Sequence, residues 1–201
     1  MIEFKNSNES SPMQIFHDIY LEAKKNEQDN IDAISISSFN HDKNEVSSRI
    51  VNIKFIKNGS FFFFSNYFSP KSKDFISHDQ VSGLIFWSKI NKQIRIKAKI
   101  KKCSDTLSDQ HFLGRAYKKN ITSILSKQSS NIKSFEYMEK IYNEYFYKYK
   151  NKKLKRPEYW GGYEMSPYYF EFWSGDDNRL NKRIVYKKEN GVWSYPYYLQ
   201  P

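Results

Sequence analysis

The sequence predicts a mainly β fold, a small antiparallel barrel with peripheral α-helices. Short apolar runs recur along most of the chain, turn residues separate several of them, and no strand–helix alternation of the parallel kind is present. Gln93-Ile94-Arg95-Ile96-Lys97-Ala98-Lys99-Ile100 alternates strictly, which describes a strand with one wet face. Asn58-Gly59 lies between two further apolar runs and is a hairpin-turn signal, because both residue types accept positive φ.

The elements follow in order. Ser11-Pro12 reads as an N-cap with proline at the first helical position, and Phe16, Ile19, Tyr20 and Ala23 recur at helical spacing to about Gln28. Strands are expected over Ala33–Ser37, Ser48–Lys57 and Ser60–Asn66, then a short helix over Ser69–Ser77. Val81–Trp87 is a continuous apolar run suited to a buried strand, and Gln93–Ile100 is its alternating neighbour. Helices are expected over Asp105–Gly114 and from Phe135 to Phe146, the second running into a polar Lys148–Lys155 loop. Strands over Gly161–Met165, Tyr169–Ser174, Arg183–Lys187 and Val192–Tyr195 complete the reading.

With 201 residues, 16 Phe, 16 Tyr and 4 Trp, the chain has ring surface enough to close one core. The expected organisation is an N-terminal helical arm over residues 1–30 and one domain over 31–201. Only 7 Gly and 6 Pro argue against repeat or low-complexity architectures. The single Cys103 excludes an internal disulfide framework. Met1–Ser10 lacks the basic and apolar segments of a secretory signal, and the apolar run Phe61–Phe64 is far too short to span a bilayer. A cytoplasmic location with no membrane partner is expected. The formal charge of +11 comes mostly from scattered lysines, which read as a solvated surface rather than a nucleic-acid stripe. The informative cations are the scarce arginines Arg49, Arg95, Arg115, Arg156, Arg179 and Arg183, because guanidinium grips phosphate in a fixed fork.

Several chemistries are absent. There is no glycine-rich dinucleotide or triphosphate loop and no nucleophile elbow, and His17, His41, His78 and His111 lack metal-ligand spacing. An enzyme of this composition would depend on a bound cofactor. Three clusters stand out. Arg49-Ile50-Val51-Asn52-Ile53-Lys54 carries cations five residues apart, on opposite faces of a regular strand, so a shared ligand requires a bulge or two-sided reach. Ser126-Lys127-Gln128-Ser129-Ser130 is a loop of small donors. Glu171-Phe172-Trp173-Ser174-Gly175 leads into a loop bearing Arg179 and Arg183 beside the aromatic strand.

In this order, and with Phe64-Ser65-Asn66, Ser69-Pro70-Lys71, Lys92-Gln93-Ile94, Trp160-Gly161-Gly162-Tyr163 and Arg179-Leu180 between and after them, the clusters resemble the pyridoxamine/pyridoxine 5'-phosphate oxidase family. The resemblance runs from about Ser48 to the C-terminus. It implies an FMN-binding split antiparallel β-barrel that is homodimeric, with FMN at the subunit interface. It implies FMN contacts at Arg49, Ile50, Val51, Asn52, Ile53, Lys54, Phe64, Ser65, Lys71, Gln93, Gln128, Ser129, Trp173 and Arg183. It also implies substrate contacts at Lys54, His111, Arg115, Lys119, Arg179 and Asn181, with Arg179 and Asn181 nearest the chemistry. The phosphate would be gripped by Arg49, Lys71 and Ser65, and the ring system by Gln93, Gln128 and Trp173.

The sequence departs from the family pattern at His111, Lys119 and Asn181, where Tyr, Ser and the His of an Arg-x-His pair are usual, and at Pro70, where an FMN-phosphate Arg is usual. Its Tyr198-Leu199-Gln200-Pro201 ending keeps part of the usual Arg-Leu-x-Pro. The implied activity is hydride transfer from a phosphorylated small molecule to FMN, with molecular oxygen as final acceptor and hydrogen peroxide as product. Pyridoxamine or pyridoxine 5'-phosphate is the expected substrate. The related phenazine-biosynthesis oxidases and a non-catalytic flavin- or phosphate-binding module are the alternatives.

Overall fold

The computed structural model describes residues 1–5, 11–150 and 152–201, with Ser11 by its backbone alone, so the expected capping by its side chain lies outside the described residues. Contacts divide the chain into two compact units. The first comprises Met1–Phe63, Asp74–Lys101 and Glu164–Pro201, and the second Phe64–Lys73 and Lys102–Tyr163.

The first unit is built on the sheet. Its strands are β1 (Glu3–Lys5), β2 (Ala33–Asn40), β3 (Glu45–Asn52), β4 (Phe55–Lys57), β5 (Ser60–Asn66), β6 (Gln80–Trp87), β7 (Lys92–Lys102), β8 (Trp160–Ser174), β9 (Lys182–Glu189), β10 (Val192–Trp193) and β11 (Tyr197–Leu199). The order is β1-β4-β5-β8-β7-β6-β2-β3, with β9 on β8 and the short β10 and β11 on β9. β5 begins, and β8 ends, in this unit. The β4–β5 hairpin turns at Asn58 and Gly59, with φ of 51° and 76°, as the dipeptide predicts. β7 alternates as expected, whereas β6, expected as a wholly buried run, alternates too: Val81, Ile85 and Trp87 are buried while Leu84 and Phe86 face out.

Helix α1 (Ser11–Lys25) lays its apolar stripe on this sheet. Phe16 is fully buried, meets Phe61 edge-on at 5.0 Å and lies 5.8 Å from Trp87. The Tyr20 hydroxyl accepts from the Ile2 N–H at 3.0 Å. The segment read as an N-terminal arm thus contributes β1 and α1 to the core of the first unit.

Two strand expectations are corrected and one strand is new. The predicted strand Ser48–Lys57 is split into β3 and β4, because the Ile53 N–H turns to the Asp32 carbonyl and the Lys54 N–H to the Phe62 carbonyl. The two strands predicted around Pro167 are one continuous β8, the proline being carried within it. β1, which no periodicity announces, pairs parallel to β4, whereas β2–β3, β2–β6, β4–β5, β6–β7 and β8–β9 are antiparallel.

The second unit holds α3 (Asp105–Gly114), α4 (Tyr117–Leu125) and α5 (Phe135–Tyr149), with the end of β5 and the start of β8; the short α2 (Pro70–Ser77) begins here. Ser104 caps α3 by accepting from the Leu107 N–H, and Ser134 caps α5 by accepting from the Tyr137 N–H. The glycines of the Trp160-Gly161-Gly162 run are there for space. A Cβ on Gly161 would meet the Tyr67 hydroxyl at 2.1 Å, and one on Gly162 would meet Cys103 Sγ at 2.8 Å and Phe64 Cε1 at 2.9 Å. Among the described residues no helix is long and apolar enough to cross a membrane.

Because Phe16 carries the docking of α1, Phe16→Ala is expected to lower the unfolding free energy by about 3–5 kcal/mol. Denaturant titration with an unchanged slope is the check.

Candidate functional site

Within the second unit, α4 and the strand ends frame a cavity of about 330 Å³ lined by Phe64, Ser65, Arg115, Lys119, Ser123 and Trp160, among others. Arg115 follows α3, and its guanidinium is oriented by uncharged groups. It donates to Ser123 Oγ at 2.9 Å and Asn120 Oδ1 at 3.3 Å, and its Cζ stands 4.4 Å from the Trp160 ring centroid. Burial lowers its pKa from the ordinary value, yet a guanidinium stays charged at any physiological pH. Buried Asn120 also donates to the Phe112 carbonyl at 2.8 Å, capping the end of α3. Lys119 brings a second cation to the same cavity from α4.

The donor loop read from the sequence is a β-turn, Lys127–Ser130, closed by a 3.0 Å hydrogen bond and holding Ser129 at φ 67°. It aims the Gln128 side chain at β5, where Oε1 accepts from Ser65 Oγ and the Asn66 N–H, each at 3.3 Å. Lys71, on α2, is buried and donates to Ser65 Oγ at 3.0 Å and Ser69 Oγ at 3.2 Å. His111 is absent from the cavity lining; its ring backs Phe64, stacked at 3.6 Å and 9°. The structure therefore gathers Phe64, Ser65, Lys71, His111, Arg115, Lys119, Gln128 and Ser129 into one unit.

The remaining predicted residues stand in the first unit. Arg49 NH2 pairs with Asp74 Oδ2 at 3.2 Å, and NH1 donates to Ser38 Oγ at 2.6 Å. Burial alone would raise the Asp74 carboxyl, but hydrogen bonds from Asn40 and Ser38 and the charge of Arg49 hold it below its ordinary value. On the same strand Ile50 is exposed, Val51 is half-buried and Asn52 is exposed, whereas Ile53, just past its end, is a core side chain at 1% exposure. Lys54 pairs with Asp32 at 3.4 Å. Trp173 lies opposite Arg183 in the β8–β9 register, and Gln93 opposite Phe86 in β6–β7.

Arg183 is gripped by buried Glu171, at 2.9 Å from Nε and 2.7 Å from NH2, and the other oxygen of Glu171 takes Arg95 at 2.9 Å. Burial, then the hydrogen bond and charge of Glu171, push the Tyr169 hydroxyl up to about 12. Asn181 closes the 175–181 loop by accepting from the Asp176 N–H at 3.1 Å, and Arg179 sits exposed in that loop with φ 63°.

With that geometry, comparison with known proteins is decisive. Residues 160–201 match the model of the pyridoxine 5'-phosphate oxidase C-terminal dimerisation region. A pyridoxine/pyridoxamine 5'-phosphate oxidase of Legionella pneumophila is 32% identical over 191 residues, covering 95% of this chain and 88% of its own length. The protein of that name from Cytophaga hutchinsonii is 42% identical over 148 residues, covering 73% and 68%. This chain belongs to the pyridoxine/pyridoxamine 5'-phosphate oxidase family.

The family is one of FMN-dependent oxidoreductases with a split-barrel fold, and solved structures agree on that fold. PhzG from Burkholderia lata, solved with tetrahydrophenazine-1-carboxylic acid, superposes with a TM-score of 0.89 at 23% identity, covering 96% of this chain and 93% of its own. A pyridoxamine 5'-phosphate oxidase-related, FMN-binding protein from Nostoc punctiforme gives 0.75 at 8% identity, covering 96% and 99%.

Sequence reasoning gave no role to Asp74, Glu171, Asn120 or Ser123, each of which orients a predicted arginine. Asn120 and Ser123 were within reach, since they lie five and eight residues after Arg115. Glu171 carried only its place in the motif. Removing one partner of a buried pair strands the other charge, so Asp74→Ala is expected to cost about 3–5 kcal/mol at neutral pH. Because the folded-state pKa is depressed, Asp74 contributes in full above about pH 4 and its contribution fades as pH falls below that value. Stability curves against pH should therefore converge for the wild type and Asp74→Ala on the acid side.

Proposed function

We propose that this chain is an FMN-dependent oxidase, working as a homodimer, that oxidises pyridoxamine or pyridoxine 5'-phosphate to pyridoxal 5'-phosphate. The observation that carries the reading is Arg115. It makes no ion pair among the described residues, it rests on an aromatic face, and it shares a 330 Å³ cavity with Lys119 and hydroxyl donors. That is the donor set a phosphate monoester needs: two cations and neutral hydrogen-bond donors, with no carboxylate lining the cavity.

The residues present also fit FMN. Buried Lys71 with Ser65 offers a cation and a hydroxyl for a phosphate, Gln128 offers an amide for a heterocycle, and Arg183 is fixed beside Trp173 by Glu171. Bound FMN supplies the hydride acceptor, and dioxygen takes the two electrons onward to hydrogen peroxide. The protein's part is positioning and charge. Arg115 and Lys119 hold the substrate anion and so set where its amine- or alcohol-bearing carbon lies. Arg179 is an exposed cation on a loop that Asp176 braces and Asn181 closes, and the family resemblance assigns it to the substrate ring.

Two observations support a second copy as partner. The matched C-terminal region is described as a dimerisation region. The outer face of the sheet also leaves Ile50, Leu84 and Phe86 exposed by 70%, 41% and 54%, with Ser35 between Ile50 and Leu84 in register.

Purified protein is expected to carry a flavin spectrum and to release peroxide with pyridoxamine 5'-phosphate under air. Colourless protein that takes up no added FMN would overturn the cofactor. Flavin-loaded protein inactive on both vitamers but active on a reduced tricyclic ring would move the substrate to the phenazine type. Arg115→Ala should raise KM for the phosphorylated substrate by about tenfold or more, the loss of a charge-assisted hydrogen bond, while flavin retention holds. Arg179→Gly should relieve about 1 kcal/mol of left-handed strain and yet lower kcat, so melting temperature and turnover would move in opposite directions.

A further inference from the structure

We infer that Arg156, which does not line the anion cavity, is a positioning residue that sets the geometry of Arg115 through Trp160. The inference rests on the anion-pocket reading above and extends it to a residue with no contact to the ligand.

The Arg156 side chain is only 7% exposed, and its fork is spent in three directions. Nε donates to Asp109 Oδ1 at 2.6 Å, NH2 to Asp105 Oδ1 at 2.7 Å, and NH1 to the Trp160 carbonyl at 2.7 Å. Asp105 and Asp109 are one turn apart on α3, the helix that carries His111 and Phe112 and ends at Arg115. The Trp160 N–H is taken by the Pro157 carbonyl at 3.0 Å, so both backbone groups of Trp160 are pinned.

The Trp160 ring then meets three side chains of the site. Arg115 Cζ lies 4.4 Å from its centroid, Phe64 stacks at 5.5 Å and 17°, and Phe112 meets it edge-on at 5.5 Å. One guanidinium thus ties the helix that delivers Arg115 to the ring on which Arg115 rests. A stability role alone would not require this arrangement. The two carboxylates are 86% and 55% exposed, and pairs with such exposed partners contribute little to folding. Lysine cannot reproduce a planar three-way fork.

The test uses full-length, flavin-loaded protein carrying Arg156→Gln or Arg156→Lys. Titration with inorganic phosphate is read beside kinetics on pyridoxamine 5'-phosphate and on unphosphorylated pyridoxamine. The expected result is phosphate affinity weakened about tenfold in Arg156→Gln, with a matching rise in KM for the phosphorylated substrate, the scale of a small misplacement of a binding group. kcat at saturation stays within about twofold, the unphosphorylated substrate is unaffected, and Arg156→Lys recovers only part of the loss.

If Arg156→Gln does not fold, the double variant Asp105→Asn/Asp109→Asn removes both charged partners from exposed positions and should show the same split. Unchanged phosphate affinity in a folded variant, or an equal loss on both substrates, overturns the inference and leaves the proposed function standing. Wild-type protein that binds phosphate but oxidises neither vitamer overturns the proposed substrate, and the phosphate titration still decides the role of Arg156. Wild-type protein with no phosphate affinity overturns both.

Discussion

A guanidinium meant to receive an anion must be held in place without being neutralised, and this requirement sorts the arginines of the chain. Arg49, Arg95, Arg156 and Arg183 are held by carboxylates. Arg115 is held by an amide, a hydroxyl and an indole face, none of which carries charge. The distinction is electrostatic. A carboxylate partner fixes direction and cancels much of the field a ligand would feel, while neutral partners fix direction and leave the field intact. Glu171 lies between these cases, since one buried acid serves two arginines and the cluster keeps a net positive charge.

The same requirement explains the aromatic content around the cavity. Phe64, His111 and Trp160 form a nearly parallel stack, within 17° of one another, and Phe112 closes it edge-on. Such a wall offers Arg115 an attractive face and few competing acceptors. Phe64 of this wall, with Cys103, excludes a Cβ at Gly162, while Tyr67 and Ser108 exclude one at Gly161. The Trp-Gly-Gly-Tyr run, weak as a functional signal by itself, is thus the backbone signature of the site's wall.

How much of this was legible in the sequence depends on how far apart the partners lie. The Asn58-Gly59 hairpin and the alternating β7 are local, and local chemistry predicts them. β8 was read as two strands, Gly161–Met165 and Tyr169–Ser174, and it is pairing in the sheet that carries one strand through Pro167. α4 was not read at all, since its buried residues are Asn120 and Ile121, one polar and one apolar, too few to show a period. Arg115 and Lys119 were expected to bind substrate, and they do share one cavity. That Glu171 also takes Arg95 was not readable, because those two residues are 76 apart in sequence and meet only in the folded sheet.

The positive charge, which would ordinarily suggest a polyanion partner, has another use in this chain. Lysines lie over rings in both units: Lys5 over Phe55 and Lys97 over Tyr169 in the first, and Lys102 over Tyr67 and Lys118 over Phe146 in the second. A protein with 16 Phe and 16 Tyr has more ring surface than its core can hide, and these lysines set their ammonium groups over ring faces. An exposed ring covered by a neutral side chain would remain an adhesive patch. Part of the lysine excess is thus placed against rings, and the charge that bears on the proposed chemistry is carried by a few cations held at fixed angles.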